Sequence, residues 1–166
     1  MINKLITEIN TCIENECYLS ALTVALILPD ICGKVEYPND KPSERYKKWY
    51  HKWIGQYEHY PDDELMPYPS ADIVYDLRCS LLHEGNPDVN KSKNHLTEFK
   101  LGIFDDWMSG GCSSINGENG EFGRALEIGL KNLCYKLCKL AEVYYSENKD
   151  KFAFNYTLVE RRIINN

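Results

Sequence analysis

The chain has 166 residues, and its 25 acidic and 19 basic side chains give a formal net charge of −6. Hydrophobic residues make up 43% and charged residues 27% of the sequence, a globular composition that excludes disordered and collagen-like classes. The length corresponds to about one domain. The net acidity argues against a protein that binds nucleic acid mainly through bulk positive charge, although a local basic site is compatible with it.

The cysteines and the N-terminus both indicate a reducing cytoplasm. The seven cysteines are an odd number, and we expect free thiols that pack as small hydrophobic groups. The first residues lack a basic region followed by a small-residue cleavage site, which argues against a signal peptide. The longest apolar run, Ala21 to Pro29, is about half the length of a membrane span. We therefore predict a cytoplasmic protein with no membrane partner.

The first part of the chain is predicted to be helical. Apolar residues recur at spacings of three and four between residues 4 and 28, which predicts a helix broken into two. Pro29 is either a stop or a kink. After a turn-like stretch at 36–42, Ser43 is the predicted N-cap of a helix that runs through Tyr57.

Residues 58–69 contain three prolines and are predicted to be loop. Ser70 is the predicted N-cap of the next helix, about 71–84, and Gly85 is its predicted end. Apolar residues then alternate over 96–104, which is typical of a strand. Residues 109–123 contain five of the ten glycines and are interpreted as a long mobile loop.

The clearest amphipathic helix is predicted over 124–147, where leucines recur at helical spacing. Residues 152–158 alternate again, and we predict that they pair with the 96–104 strand as an antiparallel sheet. The predicted fold class is therefore mainly α. We expect one helical domain over residues 1–166, with β-containing appendages around 94–120 and 150–160.

The helix predicted over 71–84 carries an unusual charge. On a helical wheel, Arg78 falls inside the arc of apolar side chains that should face the core. A fixed charge there is costly unless it is paired or lines a wet cleft, and a guanidinium is well suited to clamp a phosphate or carboxylate. His83 follows at the C-terminal end of the helix, where it is available as a general acid or base.

The motif Arg78-Cys79-Ser80-Leu81-Leu82-His83 resembles the Arg-x4-6-His signature of the HEPN superfamily. The resemblance implies a HEPN-like helical bundle that forms homodimers and brings two Arg/His pairs together in one cleft. Many members are metal-independent ribonucleases of defence, toxin–antitoxin or phage-related systems, and others keep the fold without catalysis. Cys79 is a departure, since the family usually has a polar residue after the arginine.

The resemblance implies a mechanism in which the 2′-hydroxyl of RNA attacks the adjacent phosphorus. His83 would move a proton and Arg78 would stabilise charge on the phosphoryl oxygens. We take Asp76, Ser80 and Asp30 as supporting residues. The resemblance also implies an RNA substrate and an antitoxin or other protein partner, with no cofactor and no metal.

The alternative function is a non-catalytic helical dimer that acts as an interaction or binding protein. In that interpretation Arg78 pairs with a buried acid such as Asp30 or Glu16, and His83 is only a residue at a helix end. Charged groups of this kind also occur in purely structural networks.

Two basic segments are candidate RNA-binding surfaces. The first is an aromatic helix that includes Arg45, Lys48 and Lys52, and its tryptophans could stack on single-stranded bases. We favour packing of Trp49 and Trp53 against the core or a dimer partner, because the pattern is also ordinary amphipathicity. The second, thinner segment follows His83 in the sequence and includes Lys91 and Lys93.

One cysteine pair has spacing compatible with a metal site. Cys134 and Cys138 lie one helical turn apart, but a structural zinc site usually takes four ligands and no second pair lies nearby in the sequence. We therefore predict that both thiols pack in the core and that the protein binds no metal.

Overall fold

The protein is mainly helical in the computed structural model, which describes residues 1–59, 66–104, 110–115 and 122–152. The helices are α1 (Ile2–Glu14), α2 (Tyr18–Ala25), α3 (Leu28–Glu36), α4 (Pro42–Trp53), α5 (Ala71–Cys79) and α6 (Leu130–Glu147). A π-helical turn, Ser80–Glu84, continues α5, and short 3-10 turns cover Gly55–Tyr57 and Lys149–Lys151. The strands are β1 (Glu98–Gly102), β2 (Gly110–Ile115) and β3 (Phe122–Gly129).

Helix α6 is the centre of the helical bundle, since α1, α2 and α3 all pack against it. Its buried side chains include Leu133, Leu137, Ala141 and Tyr144, which follow one another at helical spacing. Full burial of a leucine-sized side chain contributes roughly 1.5–3 kcal/mol to stability, so this face of α6 contributes strongly to the stability of the helical bundle. Helix α4 packs between α3 and α5, which places α5 beside the α3–α4 pair.

The predicted two-stranded antiparallel sheet is wrong in its pairing. Strand β1 pairs in parallel with β3, with Glu98 opposite Ala125, and β2 pairs antiparallel with β3 on its other side. The strand order is therefore β1-β3-β2. Residues 153–160, which include most of the predicted partner of β1, lie outside the described residues.

The predicted start of the last helix is also wrong. Residues 122–129 form β3, and α6 begins only at Leu130. The ambiguity has a physical origin, because Leu126 and Ile128 alternate as a strand requires while Leu126 and Leu130 also have helical spacing. The mobile loop predicted at 109–123 is corrected as well, since β2 and the first residues of β3 lie within it.

The helix boundaries near the candidate site are better predicted. Ser70 caps α5, and its Oγ accepts a hydrogen bond from the Ile73 amide at 3.3 Å. Gly85 ends the π-helical turn with a φ of 68°, in the left-handed region that glycine adopts readily. At α4 the predicted cap Ser43 is wrong, because Lys41 is the N-cap and Pro42 is the first helical residue.

The N-terminal region forms three helices, whereas the spacing of apolar residues predicted two. Helices α1 and α2 account for the two predicted pieces, and Pro29 lies in the first turn of α3 rather than at a stop or kink. Proline is tolerated there because the first amides of a helix have no internal acceptor.

One stretch of the described residues is long and apolar enough to cross a membrane. It covers Tyr18–Glu36, and its most apolar 18-residue window has a mean hydropathy of 1.5 and is 44% buried inside the protein. A core helix of a globular protein meets the same criteria of length and composition. Here the stretch is divided between α2 and α3, and Asp30 within it is part of an ion pair described below.

Candidate functional site

The π-helical turn after α5 brings Arg78 and His83 together. In a regular α-helix, residues five apart point about 140° away from each other. The wider turn at Ser80–Glu84 changes that relation, and Arg78 Nη1 lies 3.1 Å from His83 Nε2. Single π-helical turns within α-helices are frequent at functional sites.

Asp30, from the first turn of α3, binds one edge of the same guanidinium. Its Oδ2 accepts a hydrogen bond from Arg78 Nε at 3.1 Å and forms an ion pair with Nη2 at 3.0 Å. The side chains are only 20% exposed for Arg78 and 18% for Asp30. Of the two acids considered as partners for Arg78, the structure selects Asp30, while Glu16 is exposed at the α1–α2 turn. We call Asp30, Arg78 and His83 the Arg78 cluster.

Burial dominates the electrostatics of Asp30. It raises the pKa of this carboxyl above its ordinary value, although the charge and hydrogen bonds of Arg78 and the charge of Arg45 oppose the rise.

The hydrogen-bond inventory of Arg78 leaves donors for a ligand. A guanidinium has five N–H groups and no acceptor, so His83 Nε2 must accept from Arg78 and is unprotonated in this contact. Asp30 and His83 engage three of the five donors. The thiol of Cys79, which is a weak acceptor, also lies close to the guanidinium.

The inner wall of the site consists of residues that sequence analysis did not assign to it. Tyr75 lies one turn before Cys79 on α5, and burial together with the neighbouring Cys79 thiol raises the pKa of its hydroxyl. Tyr46 from α4 is fully buried and meets the Tyr75 ring edge-on at 5.2 Å. Its hydroxyl has no hydrogen-bond partner among the described residues. Burial, followed by the charge of Asp30, raises the Tyr46 pKa well above its ordinary value.

The supporting residue Asp76 faces a different part of the molecule. Its carboxylate accepts hydrogen bonds from the Asn90 amide at 2.6 Å, Lys93 Nζ at 2.8 Å and Asn94 Nδ2 at 3.0 Å. We call these four residues the Asp76 cluster. It fastens the segment that follows the motif to α5. Ser80 opens the π-helical turn, and its carbonyl accepts from the Asn86 amide at 3.2 Å.

The lysines proposed for RNA binding all have acidic partners. The pairs are Lys48 with Asp40 at 2.7 Å, Lys52 with Glu36, Lys91 with Asp88 at 2.5 Å, and Lys93 with Asp76 at 2.8 Å. These partners reduce the positive field that the lysines present to a polyanion. Arg45, in contrast, is half-buried on α4, and its Nε is buried with no partner in the described part of the chain.

The aromatic side chains of α4 form part of the core, which confirms the packing interpretation. Trp49 is fully buried and stacks on Trp53 at 6.2 Å with an interplanar angle of 23°. Cys134 and Cys138 are buried as predicted, and burial raises the pKa of both thiols. No group of three or more His, Cys, Asp or Glu side chains in the described ranges is placed to hold a metal ion.

Comparisons with protein-family models, with curated proteins and with solved structures find no match to this chain. The central feature is a guanidinium that contacts an imidazole lone pair at the surface and a carboxylate on its inner edge.

Proposed function

We propose that the protein is a HEPN-like, metal-independent endoribonuclease in which Arg78 and His83 act on a phosphodiester of RNA. The observation that supports this function is the 3.1 Å contact between Arg78 Nη1 and His83 Nε2 across the π-helical turn. It pairs a phosphate-binding cation with a proton acceptor, which are the two groups that attack by a 2′-hydroxyl requires.

In the proposed reaction, the RNA phosphate replaces His83 as the acceptor of Arg78 Nη1. The freed lone pair of His83 Nε2 then takes the proton of the 2′-hydroxyl as its oxygen attacks the adjacent phosphorus. The bond from phosphorus to the 5′-oxygen breaks, which leaves a 2′,3′-cyclic phosphate and a 5′-hydroxyl. The remaining N–H donors of Arg78 stabilise the negative charge that develops on the phosphoryl oxygens. In the proposed homodimer, the partner's His83, in its protonated form, supplies the proton to the leaving 5′-oxygen in the same cleft.

Asp30 supports the proposal as a positioning group. By binding the Nε/Nη2 edge of Arg78, it fixes the plane of the guanidinium and directs Nη1 toward His83. Its charge also lowers the local positive potential. Phosphate binding by Arg78 therefore depends on directed hydrogen bonds more than on net charge.

The alternative function is a non-catalytic helical dimer that binds another protein. The observation in its favour is the same Asp30–Arg78 ion pair, because both side chains are largely buried and the pair links α3 to α5. From the cysteines and the N-terminal sequence we further propose that the protein is cytoplasmic. From the resemblance we propose that it acts with an antitoxin or other protein partner in a defence, toxin–antitoxin or phage-related system.

Cleavage of a structured RNA in the presence of EDTA tests the enzymatic proposal. We expect 2′,3′-cyclic phosphate products from the wild type and a loss of about 100-fold or more in Arg78→Ala and His83→Ala. His51→Ala is the matched control, since His51 is an exposed histidine on α4, and it should cleave like the wild type. Equal background cleavage by all four proteins would reject the enzymatic function.

Unfolding of the same Arg78→Ala protein in urea tests the alternative. Breaking an ion pair shielded from water by removing one partner costs roughly 3–5 kcal/mol when the pair is purely structural. A loss of that size without any loss of cleavage would assign the pair to the scaffold.

A further inference from the structure

The cations of α4 fall into two classes. Three lysines form ion pairs with carboxylates of neighbouring elements, namely Lys47 with Asp72, Lys48 with Asp40 and Lys52 with Glu36. Arg45 makes no such ion pair among the described residues, and its buried Nε lacks an acceptor. A guanidinium that is partly removed from water and has no ion-pair partner in the described part of the chain is costly, and its uncompensated charge favours an anionic ligand.

The packing of α3 on α4 places Arg45 beside the Arg78 cluster. Gly33 follows Asp30 by one turn on α3, and a Cβ at Gly33 would lie only 2.7 Å from the Arg45 carbonyl oxygen. The backbones therefore approach closely at this crossing. Arg45 is near enough to Asp30 for its charge to act on that carboxylate together with the charge of Arg78.

The charges at this place do not balance. Arg45 and Arg78 are positive, Asp30 is negative when ionised, and His83 is neutral in its contact with Arg78. One positive charge is left over in a chain whose formal net charge is −6. A single phosphodiester carries the opposite charge and accepts hydrogen bonds in the forked geometry that a guanidinium offers.

We propose that Arg45 binds a backbone phosphate of the RNA next to the phosphate held by Arg78, so that the substrate enters along the α3–α4 crossing. This inference rests on the proposed function. In this proposal the RNA contacts the end of α4 that carries Arg45, and not the outer face of the helix that carries the lysines.

Binding of a short single-stranded 2′-deoxy oligonucleotide over a series of salt concentrations tests the inference separately from cleavage, because this probe lacks the attacking hydroxyl. We expect Arg45→Gln to weaken binding by about tenfold, the effect of one charge-assisted hydrogen bond. It should also reduce the slope of log K against log salt by about 0.7, as loss of one phosphate contact on a single strand does. Lys48→Gln is the matched control on the same helix and should change the affinity less than about twofold.

Arg45→Lys keeps the charge but not the fork, so it should retain the salt slope while losing part of the affinity. Thermal melting by circular dichroism will show whether Arg45→Gln is folded. If it is not, the affinity and salt slope of Arg45→Lys test the inference. Equal affinities and slopes for the Arg45 and Lys48 variants would overturn the inference, even where cleavage depends on Arg78. Oligonucleotide binding that depends on Arg45, in a wild type that cleaves no RNA, would instead overturn the proposed function and retain Arg45 as a phosphate-binding residue.

Discussion

Helix α5 carries two charged clusters that differ in how completely their hydrogen-bonding groups are used. In the Asp76 cluster, one carboxylate accepts from a backbone amide, an ammonium and a side-chain amide, and only 13% of it is exposed. In the Arg78 cluster, the guanidinium uses three of its five donors on Asp30 and His83. Asp76 and Arg78 are two residues apart, which directs them to nearly opposite sides of the helix.

This difference in hydrogen bonding indicates a structural role for the Asp76 cluster and a chemical role for the Arg78 cluster. A largely buried carboxylate that already accepts three hydrogen bonds from the protein has little capacity left for a ligand, and its partners hold the 90–94 segment against α5. A guanidinium with unused donors beside an exposed imidazole can bind an anion without breaking an existing contact. Charged residues on one helix thus acquire different roles through the elements that pack against each side.

The largest expected effect is the loss of the Asp76 carboxylate. Asp76→Ala should lower the free energy of unfolding by about 2–3 kcal/mol, because the partners of a largely buried carboxylate lose a charge-assisted acceptor. Asp72→Ala is the control on the same helix. Its carboxylate is 65% exposed and pairs with Lys47, so its loss should cost less than about 1 kcal/mol.

Urea unfolding of both variants measures the comparison directly. RNA cleavage by Asp76→Ala under conditions where it is folded should match the wild type, since Asp76 contacts neither Arg78 nor His83 through any hydrogen bond described above. Equal losses of unfolding free energy in Asp72→Ala and Asp76→Ala would show that the Asp76 cluster does not hold the following segment against α5.

A smaller effect is expected at two buried tyrosines of α4 that lie one turn apart. The Tyr50 hydroxyl donates to the Pro69 carbonyl at 3.1 Å, so Tyr50→Phe should cost about 1 kcal/mol of unfolding free energy. The Tyr46 hydroxyl is buried beneath the Arg78 cluster without a partner in the described residues. Tyr46→Phe removes a desolvated polar group and should leave the stability unchanged or raise it.

Thermal and urea unfolding of the two phenylalanine variants, side by side, test this contrast. A cost for Tyr46→Phe as large as that for Tyr50→Phe would show that the inner wall of the Arg78 cluster is closed by a hydrogen bond, and the two clusters of α5 would then differ less than we infer.

Much of the helical framework follows from local sequence. Ser70 and Gly85 mark the ends of the segment that carries the motif because a cap and a left-handed residue act on their own neighbours in the chain. The sheet was less predictable. Leu126 satisfies both the strand and the helix periodicity, and strand partners are set by contacts between distant segments that no local pattern encodes.

The sequence singled out the residues of the candidate site without their contacts. The position of Arg78 in an apolar arc left open a paired charge or a wet cleft, and the structure pairs Arg78 with Asp30. The contact between Arg78 and His83 depends on a π-helical turn, for which the sequence gives no local signal. The acidic partners of the lysines were not predictable, because most of them come from other elements.

The smallest expected effect concerns the acid dependence of stability, where the two clusters should have opposite signs. Burial raises the pKa of Asp30 in the folded protein despite the opposing charge of Arg78. Burial alone would also raise the pKa of Asp76, but hydrogen bonds from Lys93, the Asn90 amide and Asn94 lower it overall. The folded state therefore favours the protonated form of Asp30 and the ionised form of Asp76.

By linkage, the contribution of Asp30 to stability is fully present below the ordinary carboxyl pKa of about 3.9 and is lost as pH rises through its higher folded value. The contribution of Asp76 is present above about 3.9 and is lost as pH falls through its lower folded value. Urea unfolding between acidic and neutral pH should thus show the wild type losing stability relative to Asp30→Asn as pH rises. The wild type should gain stability relative to Asp76→Asn over the acid part of the same series. If the stability difference from wild type changed with pH in the same direction for both variants, the proposed contrast between the Arg78 cluster and the Asp76 cluster would be contradicted.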